Sequence, residues 1–484
     1  MQITRYPRWS WAVLAATVAT SSLQCPTAPV QGAEQDSRKE SIAKTLAEVN
    51  RELADCGGGS WQKWGEKLAA FREDVQQVIA KKRPIKGNLR ISSDELQMLL
   101  LDTMDAMPET NQVAKAVIHF DRQLKARGID LIFCPLPDKS SAYPESLSDH
   151  VPTDGIVAIH VKQLFQQLLE NDVEVIDLYR VYRGFRQQTN SKVPLYYESQ
   201  DIHWRNKAAQ LAGETVAQRL LRYDFVQQAL QAGNPYRGEP FRRSGGKADQ
   251  VLAIVNTKTN SPYQDAIDSP VILTADSYGT YCHGMKDETG TVRNGHLCAQ
   301  VAVHVGMPLT YLHRQGLWGE MPVLMAQEDR DGAYLKGRRV VIWTCIARSF
   351  KQSKWPIVDL VKRSETGSAS GKVLVGVTAK GTVADVSNRP HANPPYDNFL
   401  MEIYVKGLVD DKGQPVGEGV VRFFALRARK RLPEAEIQKG QQVTVKLSSW
   451  SFVKAQYGKI MTGTLSDLEA ALDKPRYFGE MIDP

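Results

Sequence analysis

Uninterrupted runs of apolar and β-branched residues predict buried strands of a parallel sheet. Such runs, without polar alternation, are typical of strands covered on both faces, and they lie at 129–134, 173–178, 271–274 and 338–345. Amphipathic helices are predicted at 113–127, 157–170, 206–221 and 296–305. Strand, helix and strand follow one another at the spacing of a right-handed βαβ unit. The pattern therefore predicts an α/β fold, with ligands gathering beyond the carboxyl ends of the strands.

The pattern changes on either side of this region. Residues 34–110 carry apolar positions at helical spacing, interrupted at residues 56–59, and predict packing helices. Ser364 to Gly371 has the composition of a linker. Beyond it, short strands separated by Gly, Pro and Asp predict a small β-barrel or sandwich. The predicted units are 1–33, 34–110, 111–363, 364–371 and 372–484.

Residues 1–33 resemble a secretory signal peptide. Arg5 and Arg8 precede an apolar run from Trp11 to Leu23, and small residues at 30, 32 and 33 offer a cleavage site. The segment predicts a periplasmic or secreted protein. An uncleaved membrane anchor is the alternative.

Composition narrows the classes of function. The chain has 484 residues, 42% of them hydrophobic and 24% charged, as in a soluble protein of two or three domains. The net charge is +7, and no segment resembles a nucleic-acid-binding module. After signal removal, the five remaining cysteines are scattered and predict neither a disulfide framework nor a zinc site, although Cys282 and Cys298 could pair. The histidines show no metal-ligand spacing, so neither a metal nor a cofactor is expected.

Basic residues suggest two surfaces. Residues 234–250 are rich in Arg, Gly and Pro and predict a solvated basic loop. In the C-terminal region, the cations at 427–431 are expected near Trp450, Phe452 and Tyr457. That combination suits binding of a sugar-acid polymer, and it equally suits an ordinary barrel surface.

The first candidate for chemistry is Ser277, which follows the strand 271–274. A serine at a turn from strand to helix is presented at the strand's carboxyl end, with backbone N–H groups near enough to bind an oxyanion. The alternative is an ordinary turn in which Asp276 or Ser277 caps the next segment.

A second candidate lies upstream, where Asp201 precedes His203 by two residues just before a predicted helix. A carboxylate can hold one imidazole nitrogen while the other faces a cleft. The alternative is that Asp201 caps the helix and His203 packs beside Trp204. With Ser277, the pair supplies all the parts of a nucleophilic triad, in the order Asp, His, Ser.

These elements together resemble a known family. The Asp201–Trp204 stretch, the Pro135–Lys139 stretch with Tyr143 and Pro144, and the Asp276–Ser277 pair are similar to the SGNH-hydrolase-like polysaccharide O-acetyltransferases of the AlgJ/AlgX type. The resemblance covers about residues 110–350. Ala275 departs from it, because a glycine often stands there, and so does Ile202.

The resemblance implies an SGNH-like fold in which Ser277 is the nucleophile, His203 its base and Asp201 the orienting acid. It implies transfer of an acetyl group to an exported polysaccharide, with a membrane-bound O-acyltransferase as donor. Candidate substrate-binding residues are Tyr278, Lys139, Arg348 and Trp204. An acetylesterase of the same fold and a non-catalytic glycan-binding or assembly protein are the alternatives.

Overall fold

The computed structural model describes residues 29–55, 61–87, 90–104, 112–152, 155–189, 194–196, 203–242, 250–314, 316, 318–330, 332–361, 373–390, 397–458 and 460–483. The predicted linker at 364–371 and the predicted signal up to residue 28 lie outside these ranges, as do Asp201 and Cys56. No helix within them is long and apolar enough to cross a membrane.

The helices are α1 (Pro29–Asp55), α2 (Trp61–Ile79), α3 (Ser93–Met104), α4 (Gln112–Lys125), α5 (Lys139–Ala142), α6 (Ile159–Glu170), α7 (Leu178–Thr189), α8 (Asn206–Leu220), α9 (Asp224–Gln231), α10 (Leu297–Val305), α11 (Met321–Glu328), α12 (Ser349–Gln352) and α13 (Trp450–Tyr457). The strands before residue 350 are β1 (Asp130–Leu136), β2 (Glu174–Val175), β3 (Tyr236–Arg242), β4 (Gln250–Asn256), β5 (Ser261–Pro262), β6 (Val271–Ala275), β7 (Met285–Lys286), β8 (Val292–Arg293), β9 (Thr310–His313) and β10 (Val340–Ile346). The later strands are β11 (Val377–Val386), β12 (Phe399–Asp410), β13 (Pro415–Arg427), β14 (Lys430–Arg431), β15 (Gln442–Ser449) and β16 (Arg476–Asp483).

A parallel sheet forms the centre of the first domain, in the order β2-β1-β10-β6-β9. Alternate residues of its strands enter two different cores. Phe133 packs with the helices on one face, whereas Cys134 packs with those on the other. The sheet is therefore a layer between two helical layers, which confirms the predicted α/β class and places all strand ends with candidate residues at one edge.

The N-terminal helices share this core. Val49 of α1 and Phe71 of α2 lie in the same buried cluster as Phe133 of the sheet. Arg339, next to β10, forms a salt bridge with Glu34 of α1. The described helices of this N-terminal region thus share the core on one face of the sheet.

Beyond residue 373, the described strands close into a barrel. The pairings run β12-β11-β15-β16-β13, and β13 pairs back with β12, which closes a five-stranded ring. Its interior is a separate apolar core that includes Phe399, Val421 and Leu447. The barrel alternative of the sequence prediction is confirmed.

Several local predictions differ from the structure. The strand predicted at 173–178 pairs with β1 only at Glu174 and Val175, since α7 already begins at Leu178. Residues 236–242 form a strand of a hairpin with β4, so the prediction of a basic loop over this whole segment is wrong. The cysteines at 282 and 298 are both buried, and no disulfide joins them.

The expected aromatic and cationic surface of the barrel is also rearranged. Trp450 is buried, and the guanidinium above its ring belongs to Arg422, at 4.2 Å. Arg429 instead forms a salt bridge with Asp397, and Arg431 forms one with Glu436.

Candidate active site

A tight turn after β6 presents Ser277 at the carboxyl edge of the sheet. Asp276 and Tyr278 are buried on either side of it, and Ser277 is partly exposed. The Tyr278 N–H donates to the Asp276 carboxylate at 2.9 Å, and the Thr280 N–H donates to the Asp276 carbonyl at 3.2 Å. The turn is therefore held by its own backbone, and only the serine points away from the core.

A helix was expected directly after this turn, but the structure has none there. Residues 276–296 are described throughout, and they form further turns and the β7–β8 hairpin before α10 begins at Leu297. The interpretation of the turn as a strand-to-helix elbow is therefore wrong. Its presentation of a serine at the strand end is nevertheless as expected.

Gly279 explains how the turn accommodates an alanine at position 275. A Cβ atom at position 279 would lie 2.3 Å from the Ala275 Cβ, which is far inside van der Waals contact. The family resemblance puts a glycine at 275, where this chain has alanine. Because residue 279 is a glycine and has no Cβ, the Ala275 methyl group fits into the turn without a clash.

His203 lies beside Ser277, as the triad hypothesis requires. Its Nε2 atom is 3.2 Å from the Ser277 Oγ, within hydrogen-bond distance. The ring stacks on Tyr281 at 5.4 Å between centroids and lies 4.8 Å from the ring of Tyr278. Because two aromatic rings hold the imidazole, its orientation toward the serine is fixed by packing.

Trp204 fixes the backbone that carries His203. It pairs in an isolated antiparallel bridge with Tyr196, and its side chain is fully buried against Tyr278 in an edge-on contact. The hydroxyl of Tyr196 in turn donates to the carbonyl of Pro137, beyond the end of β1. The histidine is thus tied to two strand ends of the sheet.

The third residue of the predicted triad, Asp201, lies outside the described residues. Its role as the acid that orients His203 stays a prediction.

The carboxylate of Asp276 connects three segments of the site. It accepts from Tyr278 within the turn, from the indole N–H of Trp318 at 3.1 Å, and from the Ile346 N–H at 3.3 Å. Burial raises the pKa of Asp276, and the two backbone donors and the charges of His203 and Arg348 counteract that rise. Asp276 therefore positions the turn, the loop around 318 and the end of β10 relative to one another.

Arg348 is the one candidate substrate-binding residue that combines partial exposure with a charge. Its guanidinium lies 5.4 Å above the ring of Tyr278. Its backbone N–H donates to Asp138 at 2.9 Å, and its Nη1 lies 3.6 Å from the other oxygen of that carboxylate. The end of β1 therefore anchors a cation next to the serine turn.

Lys139 and Trp204 occupy a different kind of position. Both are fully buried, and the Lys139 Nζ donates to the Arg90 carbonyl at 3.0 Å. Tyr278 is also buried, between His203 and Arg348. Trp204 and Arg348 thus contact Tyr278 of the turn, whereas Lys139 bonds to the Arg90 carbonyl, and of the four candidates only Arg348 is partly exposed.

Sequence reasoning did not find Tyr281, Trp318 and Asp138 as parts of this site. Tyr281 follows the serine by one turn, so its proximity had a signal in the spacing. Trp318 follows the short strand β9, which was not predicted, and no spacing linked it to Asp276. Among the described residues, no group of three or more His, Cys, Asp or Glu side chains is arranged to hold a metal ion.

The comparison with protein families agrees with the resemblance seen in the sequence. Residues 97–278 match the SGNH hydrolase-like domain of the acetyltransferase AlgX. This match confirms the resemblance predicted from the sequence. No curated protein matches the chain significantly.

Solved structures give more distant likenesses. The O-acetyltransferase domain of Pseudomonas putida AlgJ is 15% identical, with a TM-score of 0.36 over 54% of this chain and 87% of that one. Pseudomonas aeruginosa AlgX is 11% identical, with a TM-score of 0.37 over 78% and 86%. Bacillus cereus PatB1 is 12% identical, with a TM-score of 0.30 over 51% and 89%. At these values the likenesses assign no residue roles.

Proposed function

We propose that this protein is an O-acetyltransferase that moves an acetyl group onto hydroxyls of an exported polysaccharide through an acetyl-serine intermediate. The observation that carries the proposal is the 3.2 Å distance between His203 Nε2 and Ser277 Oγ at the carboxyl edge of the sheet. A nucleophile and a base within hydrogen-bond distance are the minimal parts of this chemistry. The match to an acetyltransferase domain supports the choice of acyl group.

In the first half of the reaction, Ser277 Oγ attacks the acetyl carbonyl of the donor while His203 Nε2 takes the hydroxyl proton. The backbone N–H of Ser277 donates to the oxyanion of the tetrahedral intermediate. When the intermediate collapses, the bond to the donor oxygen breaks, and His203 returns its proton to that leaving oxygen. Acetyl-Ser277 remains.

In the second half, a hydroxyl of the polysaccharide attacks the acetyl-enzyme, and His203 accepts its proton. Collapse of this second intermediate forms the sugar ester and restores the Ser277 hydroxyl. Asp201 is proposed to orient the imidazole through its other nitrogen and to stabilise the imidazolium. Water competes with the sugar hydroxyl for the same acetyl-enzyme, and transfer requires that the sugar win.

We assign substrate contact to Arg348, which is partly exposed beside the turn. The buried Lys139, Trp204 and Tyr278 support the site instead. We further propose that the protein acts after export, in the periplasm or outside the cell, and receives acetyl groups from a membrane-bound O-acyltransferase. The signal-like residues 1–33 and the family resemblance support these two points.

The test uses the purified chain with p-nitrophenyl acetate as donor, with and without a panel of oligosaccharide acceptors. Acetylated sugar together with an acetyl mass adduct on Ser277 is the expected result. Ser277→Ala and His203→Gln should each abolish turnover, since members of a triad act as a unit. Ser261→Ala, a hydroxyl deletion in the β5 strand, is the matched control and should retain activity.

Two other outcomes contradict the proposal. Release of free acetate with every acceptor would make the protein an esterase. Binding of oligosaccharide without any turnover, in a chain whose adduct never forms, would make it a non-catalytic glycan-binding protein.

A further inference from the structure

A cavity of about 200 Å3 lies between the edge strand β9 and the C-terminal barrel. From the first domain it is lined by residues of β9, the end of α11 and the loop before β6. From the barrel it is lined by β13, α13 and the residues that follow α13. The volume accommodates several water molecules or one ligand of about the size of a sugar ring. Neither Ser277 nor His203 lines this cavity.

The cavity wall contains a cluster of buried charges with more cations than carboxylates. A single carboxylate, that of Glu328, faces four cations. Its nearest distances are 2.9 Å to Lys454, 3.0 Å to Arg476, 3.7 Å to Arg422 and 3.8 Å to Arg314. The distances to Arg422 and Arg314 are too long for hydrogen bonds, so Glu328 gives these two cations only a longer-range ion pair.

One further carboxylate joins the cluster from the barrel. Glu402 accepts from Arg422 at 2.7 Å and from Arg314 at 3.1 Å. Burial on its own would raise the pKa of Glu402, but Arg314 and Arg422 outweigh it and hold the pKa at about 2. Burial also acts to raise the pKa of Glu328, but its four neighbouring cations hold that pKa well below the usual value. Both carboxylates are therefore ionised at neutral pH, and four cations face two anions.

Positive charge remains in excess in this cluster, in which Arg314, Arg422 and Arg476 are buried and Lys454 is about a third exposed. Burial, together with the neighbouring charge of Arg422, lowers the pKa of Arg476 to about 9. Asp265 also lines the cavity and reduces the excess without cancelling it. An uncompensated buried cation is costly unless an anion accompanies it.

Polar donors at the cavity also lack acceptors. The Nη2 atom of Arg422 and the Nε1 atom of Trp450 are buried and have no hydrogen-bond partner among the described residues. The two side chains are 3% and 6% exposed, and they stack on each other at 4.2 Å. Two unsatisfied N–H donors beside an excess of positive charge are what an oxyanion-binding site requires.

We propose that the cavity between β9 and the barrel binds an oxyanion, namely a carboxylate, sulfate or phosphate group. Arg422, Lys454 and the indole N–H of Trp450 are its donors. The anion comes either from a free small ion or from an acidic sugar of a polymer. Because Arg314 and Glu328 belong to the first domain and Arg422 to the barrel, a bound anion also strengthens the contact between the two.

The experiment measures binding to the full chain by titration calorimetry and by thermal unfolding at constant ionic strength. The probes are sulfate, glucuronate and an oligoglucuronate. Chloride is the control for an anion that is not an oxyanion, and glucose is the control for an uncharged sugar. One saturable site per chain and a rise of the unfolding temperature with the oxyanions alone are expected. Since the reaction at Ser277 is not involved, Ser277→Ala should bind with unchanged affinity.

Variants locate the site. Lys454→Gln keeps the length of a partly exposed side chain and should weaken binding about tenfold, as loss of one charge-assisted hydrogen bond does. Trp450→Phe keeps the ring under Arg422, removes the N–H donor and should weaken binding several-fold. Lys446→Gln, an exposed lysine on β15, is the matched control and should have no effect.

The probes also distinguish the source of the anion. An oligoglucuronate that binds more than tenfold tighter than glucuronate supports an acidic polymer, and equal affinities support a free small anion. The proposal is overturned if none of the oxyanions binds saturably, or if Lys454→Gln and Lys446→Gln bind them equally well.

Discussion

The side chain of Ala275 and the missing side chain of Gly279 fit together at the turn that presents Ser277. A Cβ atom at 279 would lie 2.3 Å from the Ala275 Cβ, and the Tyr311 hydroxyl would be 3.6 Å from it. The two positions are therefore coupled, because there is room for a methyl group at position 275 or at position 279 but not at both. This coupling leads to the first prediction.

Gly279→Ala should displace the serine turn and lower the free energy of unfolding by about 1–3 kcal/mol. Acetyl turnover should fall by about 100-fold, because a small misplacement of the nucleophile has an effect of that size. The swapped double variant Ala275→Gly with Gly279→Ala should recover most of the activity. Turnover and urea unfolding of both variants measure the coupling.

The control for this pair is Gly184→Ala. Gly184 lies within α7, has no atom within 4 Å of the position of a new Cβ, and gains helix propensity on substitution. It should be neutral or slightly stabilising. If the double variant is no more active than Gly279→Ala, the close contact is not what constrains the turn.

Asp276 gives a second prediction, because its carboxylate accepts hydrogen bonds from three N–H donors. In Asp276→Asn the amide nitrogen must face either the Tyr278 N–H or the donors at Trp318 and Ile346. A donor facing a donor leaves a buried group unsatisfied, at about 1–3 kcal/mol. Turnover should fall about 10- to 100-fold while circular dichroism shows the fold retained.

Trp318→Phe is the comparison for this variant. It removes one donor and leaves the carboxylate with its two backbone donors, so its loss of turnover should be several-fold smaller. Equal losses in both variants would show that the loop at 318, and not the carboxylate, positions the serine.

The strands that position the candidate site could be predicted from sequence, because β1, β6 and β10 are buried on both faces and are therefore apolar throughout. The strand β9 could not. It has four residues, lies at the edge of the sheet, and includes the polar His313, so it carries no continuous apolar run. The same holds for β3, whose exposed residues resemble a loop.

The candidate site shows the same division. Ser277 and His203 could be named because each lies next to a predicted strand or helix with a recognisable motif. The Trp318 and Tyr281 contacts depend on chain segments whose paths have no local sequence signal. The charge cluster between the domains depends on the packing of β9 against a barrel, which no periodicity in either segment indicates.

Glu328 provides a third prediction, on stability. Glu328→Gln removes the carboxylate that three buried guanidinium groups and the partly exposed Lys454 share, and breaking a buried pair of this kind costs about 3–5 kcal/mol. The unfolding temperature of the full chain should fall by several degrees. Saturating sulfate should restore part of the loss if the cavity binds oxyanions.

The matched control is Glu418→Gln. Glu418 pairs with Lys474 and Tyr404 at the surface of the barrel, with about a third of its side chain exposed. A surface pair contributes about 0–1 kcal/mol, so this variant should unfold close to the wild-type temperature. Similar losses from both substitutions would contradict the view that the Glu328 cluster stabilises the domain contact.

The last prediction concerns pH and a group of histidines next to the serine turn. His313 lies 4.6 Å from the ring of Tyr311 and 5.7 Å from that of His283, and its Nδ1 is 3.4 Å from the Met461 sulfur. Burial, followed by the charges of His283 and Arg314, lowers the pKa of His313 to about 3. The folded protein therefore keeps this ring neutral where the unfolded chain, with a pKa near 6.5, takes up a proton.

The contribution of His313 to the free energy of unfolding is therefore fully present above pH 6.5, and it is lost as the pH falls toward 3. Between pH 6.5 and 4.5 it amounts to about 2 kcal/mol, and the lowered pKa values of His283 and His296 act in the same direction. His313→Gln should reduce the loss of unfolding free energy over this interval by about that amount. Urea unfolding at closely spaced pH values measures it, with His119→Gln, a surface substitution beside Asp359, as the control. A wild-type pH dependence in His313→Gln would mean that the folded protein protonates this ring as readily as the unfolded chain does, and that the histidine cluster does not promote acid unfolding.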